Sequence, residues 1–284
     1  MVPTQLLNCP VCGEQCTQAG NTLVCPHAHS FDIAREGYVN LLLKKSTGDT
    51  RDMLVARRQF LEQGHYLPLA NEIQRLVHTY LASKQHLFSA ARPARVLDAG
   101  CGEGYYLGRL MEHDDTSWPG EYLGLDISKD AIRMAAKRYQ AAGFVVADLK
   151  ERLVLGTQTV DVLLDIFAPR NVAEFARVLV PGGVVVVVIP GPRHLLQLRQ
   201  QLPLLQIEEG KQQHVQDQLA ARFTLLSTIQ VHYSLHLVGA EISRLVMMTP
   251  NFWHLSDETR QALREMNTLQ TEIDFTCLLW KRKG

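Results

Sequence analysis

VLDAGCGEGYY (96–106) decides the fold of this 284-residue chain. An apolar run ends in Asp98, glycines follow at 100, 102 and 104, and a helix-forming segment opens at Tyr105. A strand, a sharp glycine turn and a helix in that order make a cradle. The glycines let the backbone turn tightly and approach a ligand, and the first turn of the helix presents unpaired N–H groups to it. The spacing is G-x-G-x-G, not the G-x-G-x-x-G of dinucleotide-binding loops. Cys101, inside the loop, reads as a small packing residue and not as a nucleophile.

Downstream of the loop the pattern alternates between strands and helices. EYLGLDIS (121–128), GFVVADL (143–149), VDVLLDIF (160–167) and GGVVVVVIP (182–190) read as strands. The run at 184–189 is apolar on both faces, as central parallel strands are. This predicts a doubly wound α/β sheet. DFTCLLWKRK (274–283) is expected to be a late strand at an antiparallel edge, and 194–222 to be helical, mobile and poor in chemical signal. Asp126 ends the second strand, where its carboxylate is placed to accept both hydroxyls of a ribose. Asp148 ends the third, near where an adenine edge would lie. With RVLVPGGVVVVV (177–188), a helix–turn–strand, these features resemble the class I S-adenosylmethionine-dependent methyltransferases. The resemblance implies a Rossmann-like seven-stranded sheet with cofactor contacts at Asp98, Gly100, Gly102, Asp126 and Asp148.

Upstream, residues 51–83 carry apolar residues at helical spacing, and Pro68 fits the first turn of a second helix. Ahead of them lies a turn-rich region holding four of the six cysteines. Cys9, Cys12, Cys25 and His29 form a C-x2-C-x12-C-x3-H set. Thiolates and imidazole suit tetrahedral zinc, and four protein ligands leave no open position, so the site is structural. Cys16 and His27 are alternative ligands. The expected organisation is a zinc-binding module over 1–50, to which the family resemblance named below assigns RNA recognition, a helical connector covering the cofactor site over 51–94, and a methyltransferase domain over 95–284.

Composition excludes little. Apolar residues make up 46% of the chain, enough for a sizeable core, and the formal net charge is zero, which neither favours nor excludes nucleic acid. No apolar run reaches membrane-spanning length. The start lacks a basic-then-apolar leader pattern, so the expected location is the cytoplasm.

Taken together, CPVC (9–12), CPHAHSFDIAREGYVNLL (25–42), ARRQFLEQGHYLP (56–68), the glycine loop, FAPRNVAEFARVLVPGG (167–183) and IPGPRHLLQL (189–198) resemble one family over nearly the whole chain. It is the bacterial large-subunit ribosomal RNA guanine-N1 methyltransferases, including their macrolide-resistance branch. The resemblance implies zinc at Cys9, Cys12, Cys25 and His29, and cofactor contacts at Tyr66, at Gly102 and Glu103, and at His194. It further implies a ribosomal RNA hairpin as partner and a homodimer. The sequence departs from the family at Asp165, where a basic residue or asparagine is expected, so no catalytic role carries over to it. By position alone, Asp165 is a candidate to accept the N1 proton or orient the base. Phe167 and Pro169 are candidate walls of a base pocket, and Phe252 and Trp253 candidate stacking platforms. Arg57, Arg58, Lys44 and Lys45 are candidates to follow phosphates. Other readings are a zinc-containing methyltransferase of small molecules or proteins, a non-catalytic RNA-binding relative and, more distantly, a dinucleotide oxidoreductase.

Overall fold

In the computed structural model the described residues are 2–44, 48–112, 118–204, 210–249, 252–253 and 255–284. Short strands β1 (Thr17–Ala19), β2 (Thr22–Val24) and β3 (Ser30–Asp32) form a small antiparallel sheet near the N-terminus. β4 (Tyr38–Asn40), α1 (Arg51–Glu62) and α2 (Leu67–Ala82) follow. Thr50 caps α1 by accepting from Met53 N, and Pro68 sits in the first turn of α2 as its fixed φ favours.

The alternating region gives β5 (Ala94–Ala99), α3 (Tyr105–Glu112), β6 (Gly120–Asp126), α4 (Lys129–Arg138), β7 (Gly143–Val146), β8 (Val160–Ile166), α5 (Val172–Val178) and β9 (Leu179–Pro190). The chain finishes with α6 (Leu196–Gln201), α7 (Lys211–Ala220), β10 (Phe223–Val238), α8 (Ala240–Met247), α9 (Asp257–Glu265) and β11 (Thr268–Arg282). The main sheet runs β10-β11-β9-β8-β5-β6-β7-β4. Its strands from β4 to β9 are parallel, and β11 is antiparallel to both of its neighbours. β5 lies where the winding reverses, between β6 and β8, and ligands of open α/β sheets bind at the carboxyl ends of strands at such a point. The glycine loop leaves β5 there.

Two departures from expectation have physical causes. The strand containing 274–283 is not at the edge, because β10 pairs along its whole length and takes the edge itself. β10 escaped the sequence reading because its burial alternates irregularly, with one face mostly exposed. The sheet also has eight strands, not seven. β4, from the cysteine-rich region, pairs in parallel with β7 through Tyr38↔Phe144, Val39↔Val145 and Asn40↔Val146. The cysteine-rich region is thus joined to the main sheet through Tyr38–Asn40.

The sheet divides the core in two. Val162, Leu164, Val184 and Val186 face α2 and α3, while Leu163, Val185 and Val187 face α5, α7 and the N-terminal region. Leu7, Leu23, Cys16 and Val39 are buried in that second cluster. Among the described residues no helix is long and apolar enough to cross a membrane.

Candidate active site and zinc centre

A cavity of about 650 Å³ opens at the switch point of the sheet. Asp98, Gly100, Gly102 and Glu103 from the loop line it, as do Asp126, Tyr66 and His194. The loop is shaped for close approach: Gly100 has φ +89°, and a Cβ there would lie 2.5 Å from that of Ala168. The Asp126 carboxylate braces the turn, accepting from Gly102 N at 2.9 Å and from Ser128 N at 2.8 Å. Asp98 is nearly inaccessible, and neither of its carboxylate oxygens has a hydrogen-bond partner. Burial, reinforced by the neighbouring charges of Asp126, Glu103 and Asp165, pushes its carboxyl far above the usual range. A buried, unpartnered carboxylate at a glycine cradle fits a ligand carrying positive charge. S-adenosylmethionine, with a sulfonium, an ammonium and a ribose, is such a ligand.

Tyr66 and His194 form one aromatic wall. Tyr66 is buried and edge-on to Phe275 at 4.9 Å and to His194 at 6.3 Å, and His194 tilts against Phe275 at 4.6 Å. Burial, with a smaller push from Arg199, lowers His194 to about 3, so the ring is neutral near pH 7. Its Nδ1 accepts from Asp274 N at 3.4 Å. Asp148 does not line the cavity; its Oδ1 accepts from Lys150 N, so it shapes the turn after β7.

The turn after β8 supplies the opposite wall. Phe167, Ala168, Pro169 and Arg170 all line the cavity. Phe167 holds φ +57°, unusual for a bulky residue, while 44% exposed and tilted against Phe275 at 5.1 Å. Strain of this kind, about 1–3 kcal/mol, persists where the surroundings fix it. Asp165 is placed differently from the candidate base: its carboxyl has no accessible surface and is not in the cavity wall. Arg170 Nη1, 3.5 Å from Asp165 Oδ2, belongs to the wall in its place.

The remaining candidates separate. Trp253 is exposed and shares a recess with Gly48, Asp49, Asp126 and Ile127, at the Asp126 side of the cavity and away from Phe167. Phe252 lines neither space and lies under the Arg260 guanidinium at 4.8 Å. Arg57 is no surface phosphate contact. It lines the cavity, pairs with Asp49 at 2.5 Å and donates to Met248 O at 3.1 Å. Arg58 Nε and Nη2 are buried without partners. Lys44 is exposed, and Lys45 lies outside the described residues. The sequence reading missed Arg57, Arg170, Tyr106 and Phe275 as lining residues. Only Tyr106 carried a signal, by directly following the glycine loop.

The cysteine set comes together in space. One ligand atom from each of Cys9, Cys12, Cys25 and His29 lies within 4.8 Å of the others. Cys12 and Cys25 sulfurs are 3.6 Å apart, and His29 Nδ1 is 3.6 Å from Cys9 Sγ and 3.3 Å from Cys25 Sγ. A tetrahedron with bonds of about 2.0–2.3 Å has edges of roughly 3.3–3.8 Å, so the donors fit zinc. Cys16 and His27 stand outside the set. Cys16 packs into the core, where burial, with the nearby thiols, raises it to about 11.

Comparison with known proteins matches this geometry. Residues 7–46 match the zinc-ribbon family described as RlmA, N-terminal, and residues 96–183 match a methyltransferase domain family. A protein of Micromonospora griseorubida named as a 23S rRNA (guanine-N(1)-)-methyltransferase is 40% identical over 269 residues, covering 91% of this chain and 90% of the relative. The 23S rRNA (guanine(748)-N(1))-methyltransferase of Streptomyces fradiae is 37% identical, covering 92% and 90%. A Bacillus subtilis protein of the same named activity is 30% identical over 98% of both chains. With a zinc ribbon, a class I methyltransferase sheet and similarity running through both, this chain belongs to the 23S rRNA guanine-N1 methyltransferase family.

Proposed function

We propose that this protein methylates N1 of a guanine in 23S ribosomal RNA, using S-adenosylmethionine, and so works in the cytoplasm. The observation that carries this reading is the full-length similarity to proteins named for that activity, spanning ribbon and sheet together. S-adenosylmethionine, when bound, supplies an electrophilic methyl group. Asp98 balances the positive charge of that ligand, and the backbone of Gly100 and Gly102 and the Asp126 carboxylate hold its ribose end. Tyr66 and His194, neutral and apolar-faced, exclude water from the reacting centre. Phe167 and Pro169 flank the space left for the base. N1 lies on the Watson–Crick edge, so the target is a base exposed in a hairpin loop or turned out of its stack, at a cost of a few kcal/mol. The zinc ribbon, carried on the sheet edge beside β7, is the RNA-docking part.

Nucleoside mass mapping of 23S RNA from cells with and without the gene tests the reading. Loss of one N1-methylguanine on deletion, restored by the wild-type gene, is the expected result. Unchanged methylation rejects it.

A further inference from the structure

The cavity is charged unequally across the sheet. On the β5–β6 side stand Asp98, Glu103 and Asp126, with Arg57 tied to Asp49. The lining also holds three further cations: Arg170 after β8, Arg199 on α6, which donates to His194 O and Pro192 O, and Lys211 at the start of α7. The acidic side suits a cationic cofactor. The basic lining suits groups that carry or develop negative charge, because a sulfonium gains nothing from cations facing it.

Arg170 is the member of that lining that belongs to the turn flanking the proposed base pocket. It closes the 167–170 turn, directly after Phe167 and Pro169. Its Nη1 lies 3.5 Å from Asp165 Oδ2 and its Nε 3.4 Å from Gln218 Oε1 on α7. The side chain is only 17% exposed. These are long contacts to a buried carboxyl below and an amide beside it. They bracket the guanidinium from two sides and leave Nη2 with no hydrogen bond among the described residues. A guanidinium does not give up its proton in a protein, so Arg170 is no base. It offers a fixed positive charge and a fork of donors, the geometry that pairs with O6 and N7 of guanine and opposes the amino group of adenine.

We propose that Arg170 donates to O6 of the target guanine and stabilises the base as N1 loses its proton, with Asp165 as a positioning residue for the guanidinium. The N1–H bond breaks, the electron pair stays in the ring shared between N1 and O6, and the proton passes to water at the cavity mouth. The charge that develops on O6 meets a donor already in place, as in oxyanion-type stabilisation. The same contact selects guanine over adenine. This inference rests on the guanine-N1 reading above.

The test uses the zinc-loaded full chain and a 23S rRNA transcript. Single-turnover rates are measured from about pH 6 to about pH 10, alongside calorimetric affinity for S-adenosylmethionine. Arg170→Gln is expected to slow the reaction about 100-fold near neutral pH, the usual cost of losing one such donor. Its rate should go on rising with pH after the wild-type rate has levelled, so the deficit closes as hydroxide takes over removal of the proton. Cofactor affinity should be unchanged, which also shows that the variant is folded. Arg170→Lys, which keeps the charge without the fork, should fall between the two. Asp165→Asn should lose only a few-fold, with the pH profile moved in the same direction. An unaltered profile for Arg170→Gln overturns the proposal. So does a loss of cofactor affinity matching the loss of rate, which would make Arg170 a clasp for the cofactor's carboxylate. Abolished turnover at every pH in Asp165→Asn overturns it too, by making Asp165 the base. A wild-type protein inert on 23S RNA at every pH rejects the guanine-N1 methylation reading itself, and the Arg170 assignment with it.

Discussion

Asp98 and Asp165 end neighbouring strands, and both are buried carboxyls, yet only Asp98 reaches the cavity. Asp98→Asn should weaken S-adenosylmethionine binding at least tenfold while leaving the melting temperature level or higher, because it replaces a buried carboxyl whose charged form burial and its acidic neighbours disfavour. Calorimetry and thermal melts check both halves. Gly100→Ala should abolish binding, since the new methyl meets Ala168 at 2.5 Å at a positive φ. Asp165 makes a pH prediction. Burial, opposed by Arg170, raises it to about 7, against about 3.9 in an unfolded chain. Between those values the folded state holds a proton that the unfolded state releases, so this residue's contribution to stability falls as pH rises through the window. Asp165→Asn should match wild type near pH 4 and become progressively more stable than it up to about pH 8, in urea denaturation at each pH. The residues readable from sequence were those fixed by local spacing: the glycine loop, Asp98, Asp126 and the Cys/His set. Arg57 and Arg170 were not readable in this way. Nothing near Arg57 in sequence says that its helix will lie across the loop, and Arg170 gains meaning only from a carboxyl beneath it and a helix some forty residues later.

At the scale of elements, α1 and α8 act as a clamp over the loop. α1 reaches it through Arg57, whose guanidinium joins Asp49 to the C-terminal end of α8 at Met248 O. Arg57→Ala should loosen both and weaken cofactor binding about tenfold, in line with losing a hydrogen-bonded charge. Arg57→Lys should recover part of it, as calorimetry would show. The parallel strands were legible because central strands are apolar on both faces, and α1 and α2 because their apolar stripe is continuous. β10 was not, since a long edge strand with one wet face lacks both signals. The expected adenine contact at Asp148 depended on its lying at a strand end, but the turn after β7 directs its carboxylate to Lys150 N.

At the scale of the molecule, the zinc ribbon and the sheet share one core. Leu7, Leu23 and Val39 share a core with Leu163 and Val185, and β4 completes the sheet. Removing zinc with a chelator should therefore lower the melting temperature of the whole chain, by several degrees or more, and keep a single transition. Hydrogen exchange should quicken in β7 as well as in the ribbon. Two separate transitions would show a detachable module. The sequence separates the ribbon from the sheet so clearly because its chemistry is concentrated in thirty residues, whereas its attachment is a three-residue strand with no motif of its own. That attachment also sets a timetable. During synthesis Cys9, Cys12, Cys25 and His29 precede the strands of the main sheet and can take up their metal early, but the partner of Tyr38 is Phe144, about a hundred residues later. Until then β4 is an open strand edge, exposed to pairing with the wrong neighbour. Early metal capture would hold the cysteine loops together, while Leu7, Leu23 and Val39 stay uncovered until the sheet arrives to share their core.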